Sequence, residues 1–243
     1  MTPGLVLPDW PAPARVRAAQ TTRSGGFSSG GYAGLNLGAR CGDDPETVGR
    51  NRALLRRSLD LPAEPGWLNQ VHGTAVAVLP QSQEPAADAS WTRGAGQVCA
   101  VLTADCLPVL FCDDEASVVA AAHAGWRGLA AGVLEQTVQA LPVPPQRLMA
   151  WMGAAIGPSA FEVGAEVREA FVQQQPEAAA CFVAARPGKY LADLYALARL
   201  RLRRAGVERV HGGGECTFSN AARWYSFRRD AVCGRMASLI WLL

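Results

Sequence analysis

One stretch in the middle of the chain, residues 97 to 123, limits the possible folds more than any other. It reads QVCAVLTADCLPVLFCDDEASVVAAAH and is dense in Val, Leu, Ala and Phe, with a polar turn at DDEA. Such runs are typical of buried strands, so we predict three successive strands with the turn DDEA between the last two. An Asp105-Cys106 pair interrupts the run, and Pro108 favours a local bulge or twist there.

Helical segments surround this strand region. DDPETVGRNRALLRRSLDLP predicts a helix that opens after Asp44 with proline at its first position, and residues 128 to 141 predict another, which PVPP ends. A strand from residue 148, an amphipathic helix within 190 to 206 and an apolar C-terminal strand MASLIWLL follow. Because strands and helices alternate irregularly, we expect an α+β fold of a multilayer α/β/β/α type with mixed sheets. A single domain spanning 1 to 243 fits this length.

Composition narrows the choice of partners. The 243 residues carry a formal charge of +2 with acids and bases interspersed, so no basic stripe follows a phosphate backbone and we expect no nucleic acid partner. No run reaches the ~18 apolar residues of a membrane span, and the N-terminal residues lack the pattern of a secretory signal. We therefore expect a cytoplasmic protein with no membrane partner, and its seven cysteines favour free thiols. The oligomeric state stays open.

The hairpin brings a cysteine and a histidine together. If its loop holds two or four residues centred between Asp114 and Glu115, Cys106 lies opposite His123, with Cβ atoms ~4.5 to 5.5 Å apart. The chain has only three histidines, and His72, like His123, ends a strand-like segment close to a glycine. One Cys and two His can bind zinc with a position left open, and they also resemble a blue-copper ligand set. The spacing alone is equally compatible with a buried thiol and two hydrogen-bonded imidazoles.

Several motifs carry a family resemblance over nearly the whole chain. NQVHG, AVLTADCLPVLFC, AAHAGWRGLAAGVLE, GAAIGPSAFEVGAEVREAF, KYLADLYALARLRL and GRMASLIWL resemble the YfiH-like, laccase-domain family of purine nucleoside phosphorylases. The resemblance implies that His72, Cys106 and His123 ligate a zinc ion. Pro108 would then end regular pairing so that Cys106 can turn towards the metal. Copper could occupy the site in vitro, since Cu²⁺ outcompetes Zn²⁺ at most such sites.

The same resemblance implies an activity. Members phosphorolyse adenosine, inosine and S-methyl-5'-thioadenosine and also deaminate adenosine, so nucleoside and phosphate are the expected partners. Cys106 and His123 are the expected catalytic residues. Phosphate needs an anion site, for which Arg127 before the helix starting near Gly128 is the first candidate and Arg23 the second. Asp105 is the nearest acid for proton transfer in deamination.

Three other functions compete with this one. The strongest is a Cys-His hydrolase of amidase type, with Cys106 as nucleophile and His123 as its base. Bacterial members of the family resemble a peptidoglycan editing factor, which implies removal of L-Ser from UDP-MurNAc-L-Ser. Another is a metal-binding partner protein without catalysis. A copper polyphenol oxidase is the least favoured, because three histidines cannot supply the histidine-rich three-copper cluster of a laccase.

The remaining polar residues receive weaker assignments. Asp88 could hydrogen-bond a ribose or a ligand imidazole, or be a solvated loop acid. We expect His211 and Cys216 to be structural. Glu215 stands where relatives carry a basic residue, which argues against anion binding by that loop. FRRD, residues 227 to 230, predicts an ion-pair network in which Arg228 is a weak candidate for substrate contact.

Overall fold

Three β-sheets and five α-helices make up residues 2–243, the part of the chain that this computed structural model describes. The helices are α1 (Pro45–Ser58), α2 (Trp126–Ala131), α3 (Val133–Ala140), α4 (Ala165–Val172) and α5 (Leu194–Arg204). The strands are β1 (Leu5–Val6), β2 (Val16–Thr21), β3 (Val76–Val78), β4 (Ala89–Thr92), β5 (Val98–Thr103), β6 (Leu107–Asp113), β7 (Val119–Ala124), β8 (Leu148–Met152), β9 (Glu162–Gly164), β10 (Phe182–Arg186), β11 (Lys189–Ala192), β12 (Arg209–Gly212) and β13 (Met236–Leu242).

Two larger sheets lie face to face. The six-stranded sheet has the order β12-β8-β6-β7-β4-β3 and mixes parallel with antiparallel pairs, while the four-stranded sheet β1-β2-β13-β5 is antiparallel. Side chains alternate across β6, as the period of a strand requires. Leu110 and Cys112 pack towards the four-stranded sheet, whereas Val109 and Phe111 pack towards helices. Every residue of β6 is therefore buried on one face or the other.

Helices cover the two outer faces. Leu129 of α2, Leu134 of α3 and Leu197 of α5 share the core with the six-stranded sheet. On the opposite side Leu55 of α1 packs with Leu239 of β13 against the four-stranded sheet. The third sheet is small and antiparallel, with the strand order β10-β11-β9. The layer order confirms the predicted α+β fold of α/β/β/α type with mixed sheets.

The central hairpin differs from its predicted register. The three predicted strands exist as β5, β6 and β7, and β6 pairs with β7 until Cys112 meets Val119. Six residues, 113 to 118, separate that pair, whereas a loop of two or four was expected. Pro108 therefore lies opposite His123, and the prediction that Cys106 lies opposite His123 is wrong by two residues. An even shift preserves the side of the sheet on which each residue lies.

Asp105, and not Pro108, redirects the chain at the cysteine. Pro108 lies inside β6, where its carbonyl accepts a hydrogen bond from the backbone N–H of Gly153 at 3.0 Å, so the expectation that Pro108 ends regular pairing is wrong. The backbone of Asp105 has φ 94, a left-handed conformation that a regular strand does not contain. Cys106 consequently lies just before β6, so the alternation of side chains between the two faces of that strand does not include it.

The predicted helix at 128 to 141 is divided. Gly132 adopts φ 99, a conformation that glycine reaches at little cost, and it separates α2 from α3. Helix α2 also begins at Trp126, two residues before the expected start. The predicted start of α1 is confirmed, since the Asp44 side chain accepts a hydrogen bond from the N–H of Thr47. No helix among residues 2–243 is long and apolar enough to cross a bilayer.

Candidate metal centre

His72, Cys106 and His123 meet at one point of the fold. The ligand atoms of the three side chains all lie within 4.8 Å of one another, and His72 Nε2 is 4.0 Å from Cys106 Sγ. The two imidazole rings stand nearly perpendicular, at 81° with centroids 4.8 Å apart. His123 is buried, Cys106 half-buried and His72 exposed. The group, called the triad below, therefore has one wall in the core and one side facing solvent.

Asp88 fixes both histidines of the triad. This fully buried carboxylate accepts a hydrogen bond from His123 Nδ1 at 2.8 Å. It also accepts the backbone N–H groups of Val71, His72 and Gly73 at 2.7 to 3.1 Å. His72 itself has φ 60, a strained conformation for a non-glycine residue, which these three bonds hold in place. The sequence interpretation of Asp88 as a partner of a ligand imidazole matches this arrangement.

Glycines supply the space that the triad occupies. A Cβ atom at Gly125 would lie 2.9 Å from Cys106 Sγ and 3.0 Å from His72 Cδ2. One at Gly128 would lie 2.9 Å from the carbonyl oxygen of Gly73. Neither glycine of the HAGWRG motif can therefore carry a side chain without a clash. Gly125 lies against the side chains of the triad, and Gly128 lies against the loop that carries His72.

The triad is electrostatically coupled. Burial opposes ionisation of Cys106, but the adjacent His123 and His72 outweigh it and lower the pKa of the thiol to about 6. Burial also opposes protonation of His123, yet the charges and hydrogen bonds of Cys106 and Asp88 raise its pKa to about 9. Burial would raise the pKa of Asp88, and hydrogen bonds from His123 and the backbone hold it below the usual range. The thiol therefore tends towards a thiolate beside an imidazolium.

The donor set fits a borderline-soft divalent metal. A thiolate and imidazole nitrogens are the ligands that zinc prefers, and copper accepts the same set. Tetrahedral zinc with such ligands places them about 3.4 to 3.6 Å from one another, so the observed separations need only small side-chain rotations to close around an ion. Three protein ligands would leave one position open.

A cleft of about 350 Å³ contains the triad in its lining. Sequence reasoning missed most of the other side chains that line it, because long-range strand pairing and loop packing bring them there. Their polar and aromatic members are Arg40, Arg52, Asn69, Gln70, Glu84, Thr103, Phe227 and Arg235. Three motifs of the family resemblance carried a signal, since NQVHG contains Asn69 and Gln70, AVLTADCLPVLFC contains Thr103 and GRMASLIWL contains Arg235.

Both carboxylate oxygens of Asp105 are engaged in hydrogen bonds, and Asp105 does not belong to the residues that line the cleft. Its two carboxylate oxygens accept hydrogen bonds from the Thr217 hydroxyl and the Arg228 backbone N–H, both at 2.6 Å. Its carbonyl accepts the N–H of Ile156 at 2.9 Å. These bonds anchor three loops around the strained residue that positions Cys106.

The two arginines expected to bind phosphate lie elsewhere. Arg127 is exposed in the first turn of α2, where its guanidinium stacks over Trp126 at 4.5 Å. Arg23 donates to the carbonyls of Ala221 and Ala33 and lies 4.7 Å over the ring of Tyr225. Neither belongs to the side chains that line the cleft. Arg23 instead links its own loop to the segment at 221 to 225.

The residues expected to be structural make structural contacts. His211 lies in β12 opposite Trp151, and Cys216 Sγ accepts hydrogen bonds from the Gly157 N–H and the Ser219 hydroxyl. Glu215 forms an ion pair with Arg223 at 2.9 Å, and the Arg228 side chain donates to the carbonyl of Glu162. All seven cysteines are free thiols.

Together the fold and the triad define an α+β protein with a His-Cys-His cluster, whose ligand atoms lie close enough together to hold a metal ion, in an arginine-lined cleft. The sequence model of the family described as multi-copper polyphenol oxidoreductase laccase matches residues 17–243. The chain therefore belongs to this family.

Known proteins of the family resemble the chain over its full length. A purine nucleoside phosphorylase of Pseudomonas aeruginosa is 58% identical over 98% of both chains, and purine nucleoside phosphorylase YfiH of Escherichia coli is 53% identical over 98% of this chain and 99% of that protein. A crystal structure from Neisseria meningitidis superposes with a TM-score of 0.95 at 52% identity, covering 98% and 99% of the two chains. YlmD of Geobacillus stearothermophilus gives 0.94 at 32% identity, covering 98% and 96%.

Proposed function

We propose that this protein is a zinc-dependent purine nucleoside phosphorylase that acts on adenosine, inosine and S-methyl-5'-thioadenosine and also deaminates adenosine. The observation that carries the proposal is the His72–Cys106–His123 triad in the lining of a cleft, in a chain whose full-length relatives are named purine nucleoside phosphorylases. The cleft volume of about 350 Å³ falls in the range of small-molecule sites.

The residues of the site would have separate roles in catalysis. His72, Cys106 and His123 would hold the zinc ion, and Asp88 orients His123 and the backbone at His72. A bound zinc ion would supply Lewis-acid chemistry to either reaction. In phosphorolysis an oxygen of hydrogen phosphate attacks C1' of the ribose, the bond from C1' to the purine nitrogen breaks, and the purine leaves with the proton that the phosphate gives up. The chain must therefore bind an anion beside the ribose and stabilise positive charge on the sugar.

A direct assay tests the proposal. Purified protein with measured zinc content is incubated with adenosine and phosphate, and adenine, ribose 1-phosphate and inosine are quantified. Adenine and ribose 1-phosphate should appear in equal amounts and only with phosphate, while inosine reports deamination separately. Product no greater than that of Cys106→Ala would refute the enzyme activity.

One observation favours a second candidate, a Cys-His amidase acting on UDP-MurNAc-L-Ser. Asp88 hydrogen-bonds His123, and His123 lies beside Cys106 within the triad, which is the order of orienting acid, base and nucleophile. This function requires Cys106 to be free of metal. Serine release by protein that holds one zinc ion per chain, and whose Cys106 resists alkylation until the zinc is chelated, would exclude a cysteine nucleophile, because a metal-bound thiol is not free to attack.

Copper chemistry is limited by the number of ligands. The chain contains three histidines, and two of them belong to the triad, so the residues can hold one copper ion and cannot build a three-copper cluster.

A third candidate, a metal-binding protein without catalysis, predicts metal binding with no product from either substrate. The assays above separate it from both enzymes.

A further inference from the structure

One wall of the cleft is rich in arginine. Arg40, Arg52 and Arg235 come from three separate parts of the sequence and line the same cleft as the triad. Glu84 is the only carboxylate in that lining among the residues described, 2–243, and it already pairs with Arg40 at 2.9 Å and lies 3.9 Å from Arg52. Three cations face one anion there, so the wall carries excess positive charge.

The three arginines differ in how firmly they are held. Arg52 is stacked over Trp67 at 4.1 Å and donates through Nε to the carbonyl of Leu37. Its side chain is 17% exposed, so it acts as a fixed charge. The Arg40 side chain is 60% exposed and can swing between Glu84 and a ligand.

Arg235 is the arginine of this wall that has N–H groups available to bind a ligand. Its Nη1 donates to the carbonyls of Cys233 and Gly234 at 2.8 and 3.0 Å, which fixes the guanidinium plane. Among residues 2–243 neither Nε nor Nη2 donates a hydrogen bond, since all the bonds of this guanidinium come from Nη1. Gly38 makes room for this side chain, since a Cβ there would lie 2.7 Å from Arg235 Cγ. A guanidinium held through Nη1, with its Nε/Nη2 edge unused, suits a bidentate oxyanion.

We propose that Arg235, with Arg40, forms an oxyanion subsite for a phosphate group in the cleft, and that Arg52 adds fixed positive charge while Glu84 holds Arg40 when no anion is bound. In the proposed phosphorylase, on which this identification of the ligand rests, the anion is inorganic phosphate. A phosphoryl group of a larger substrate has the same chemistry. This subsite replaces Arg23 and Arg127 as the expected anchor.

Phosphate binding without turnover tests the subsite separately from the enzyme activity. Binding of inorganic phosphate is measured by titration calorimetry on the zinc-loaded protein, its Arg235→Gln and Arg235→Lys variants, and Arg203→Gln, which removes an equal charge from the exposed face of α5. We expect Arg235→Gln to weaken binding about tenfold or more, Arg235→Lys less, and Arg203→Gln not at all. Glu84→Gln should strengthen binding, an effect that misfolding cannot mimic.

Two further arms identify the source of the anion. Titration with UDP replaces inorganic phosphate by a phosphoryl group on a larger molecule; tighter binding of UDP with the same dependence on Arg235 assigns the subsite to such a substrate. Tighter binding of inorganic phosphate, with a raised KM for phosphate and an unchanged KM for nucleoside in Arg235→Lys, assigns it to the co-substrate. Phosphate binding that is equal in wild type, Arg235→Gln and Glu84→Gln would overturn the subsite. Absence of phosphorolysis with binding intact would overturn only the proposed activity.

Discussion

Asp88 holds His123 at two points, because its carboxylate accepts the Nδ1–H of the imidazole at 2.8 Å and its carbonyl accepts the backbone N–H at 2.7 Å. The first bond prevents the imidazole from rotating, and the second fixes the backbone of β7 at His123. The bond to Nδ1 also fixes the tautomer, leaving Nε2 free to bind a metal. The same carboxylate shapes the turn at His72, so one buried acid sets the geometry of two ligands from different parts of the chain.

Replacing this carboxylate should weaken metal binding more than any surface change. Asp88→Asn keeps the shape but offers an NH₂ group where N–H donors now point. We expect zinc affinity to fall by about 10- to 100-fold and the free energy of unfolding to fall by about 1 to 3 kcal/mol. Competition with a chromophoric chelator measures the affinity, and chemical denaturation measures the stability.

A second buried aspartate provides the matched control. Asp113 is fully buried, accepts hydrogen bonds from Ser117 and Val118, and pairs with Arg147 at the far end of β6. Asp113→Asn should cost comparable stability while zinc affinity stays unchanged. If both variants lose zinc affinity equally, general destabilisation rather than ligand orientation explains the loss.

Cys106 should be indispensable for metal binding. Cys106→Ala removes the only sulfur ligand of the triad, so we expect protein purified without added metal to lose its zinc and its phosphorolysis together. Cys216→Ser changes another half-buried thiol, one held by Gly157 and Ser219, and should retain both. Elemental analysis paired with the adenine assay decides the case; a Cys106→Ala protein that still binds one zinc ion would show that the ligand set is different.

The triad could be predicted because its members stand in specific motifs of the family resemblance. The predicted pairing was wrong by two residues, since Pro108 and not Cys106 lies opposite His123. Cys106 reaches His123 from outside the regular strand, so the pairing does not account for their proximity. The left-handed backbone of Asp105 was not visible in the sequence, since most aspartates do not adopt it and the hydrogen bonds from Thr217 and Arg228 come from distant parts of the chain.

The arginine wall could not be predicted, because no local pattern encodes it. Arg40 and Arg235 are separated by nearly the whole sequence; they meet because loops beside the two sheets converge on one cleft. Arg127 looked suitable from its place before a helix, but the helix begins at Trp126, two residues before the expected start. Arg127 therefore lies inside the first turn, and its side chain stacks on Trp126.

Gly125 should tolerate no side chain. The Cβ of Gly125→Ala would lie 2.9 Å from Cys106 Sγ and 3.0 Å from His72 Cδ2, so the ligands must separate, and we expect zinc affinity to fall while the fold persists. Gly49→Ala is the matched control, since it lies within α1 with no atom within 4 Å of the added Cβ and should stabilise the protein by up to about 1 kcal/mol. Circular dichroism and the chelator competition separate the two effects. Unchanged zinc affinity in Gly125→Ala would mean that the metal binds elsewhere.

The reactivity of Cys106 should depend on pH in a way that distinguishes it from the other thiols. In protein stripped of metal by a chelator, the thiol has a pKa of about 6 because His123 and His72 stabilise the thiolate against the cost of burial. Since the thiolate is the nucleophile, alkylation by iodoacetamide should accelerate as pH rises through 6 and level off above about pH 7, whereas an ordinary thiol with a pKa of about 8.5 would still be accelerating. Buried Cys99, whose pKa burial raises to about 12, should stay unmodified in the same samples. Peptide mass spectrometry follows each site, and added zinc should protect Cys106 at neutral and alkaline pH, where the ligands release their protons to the metal. A rate at Cys106 that keeps rising beyond pH 8 would contradict the charge pairing within the triad.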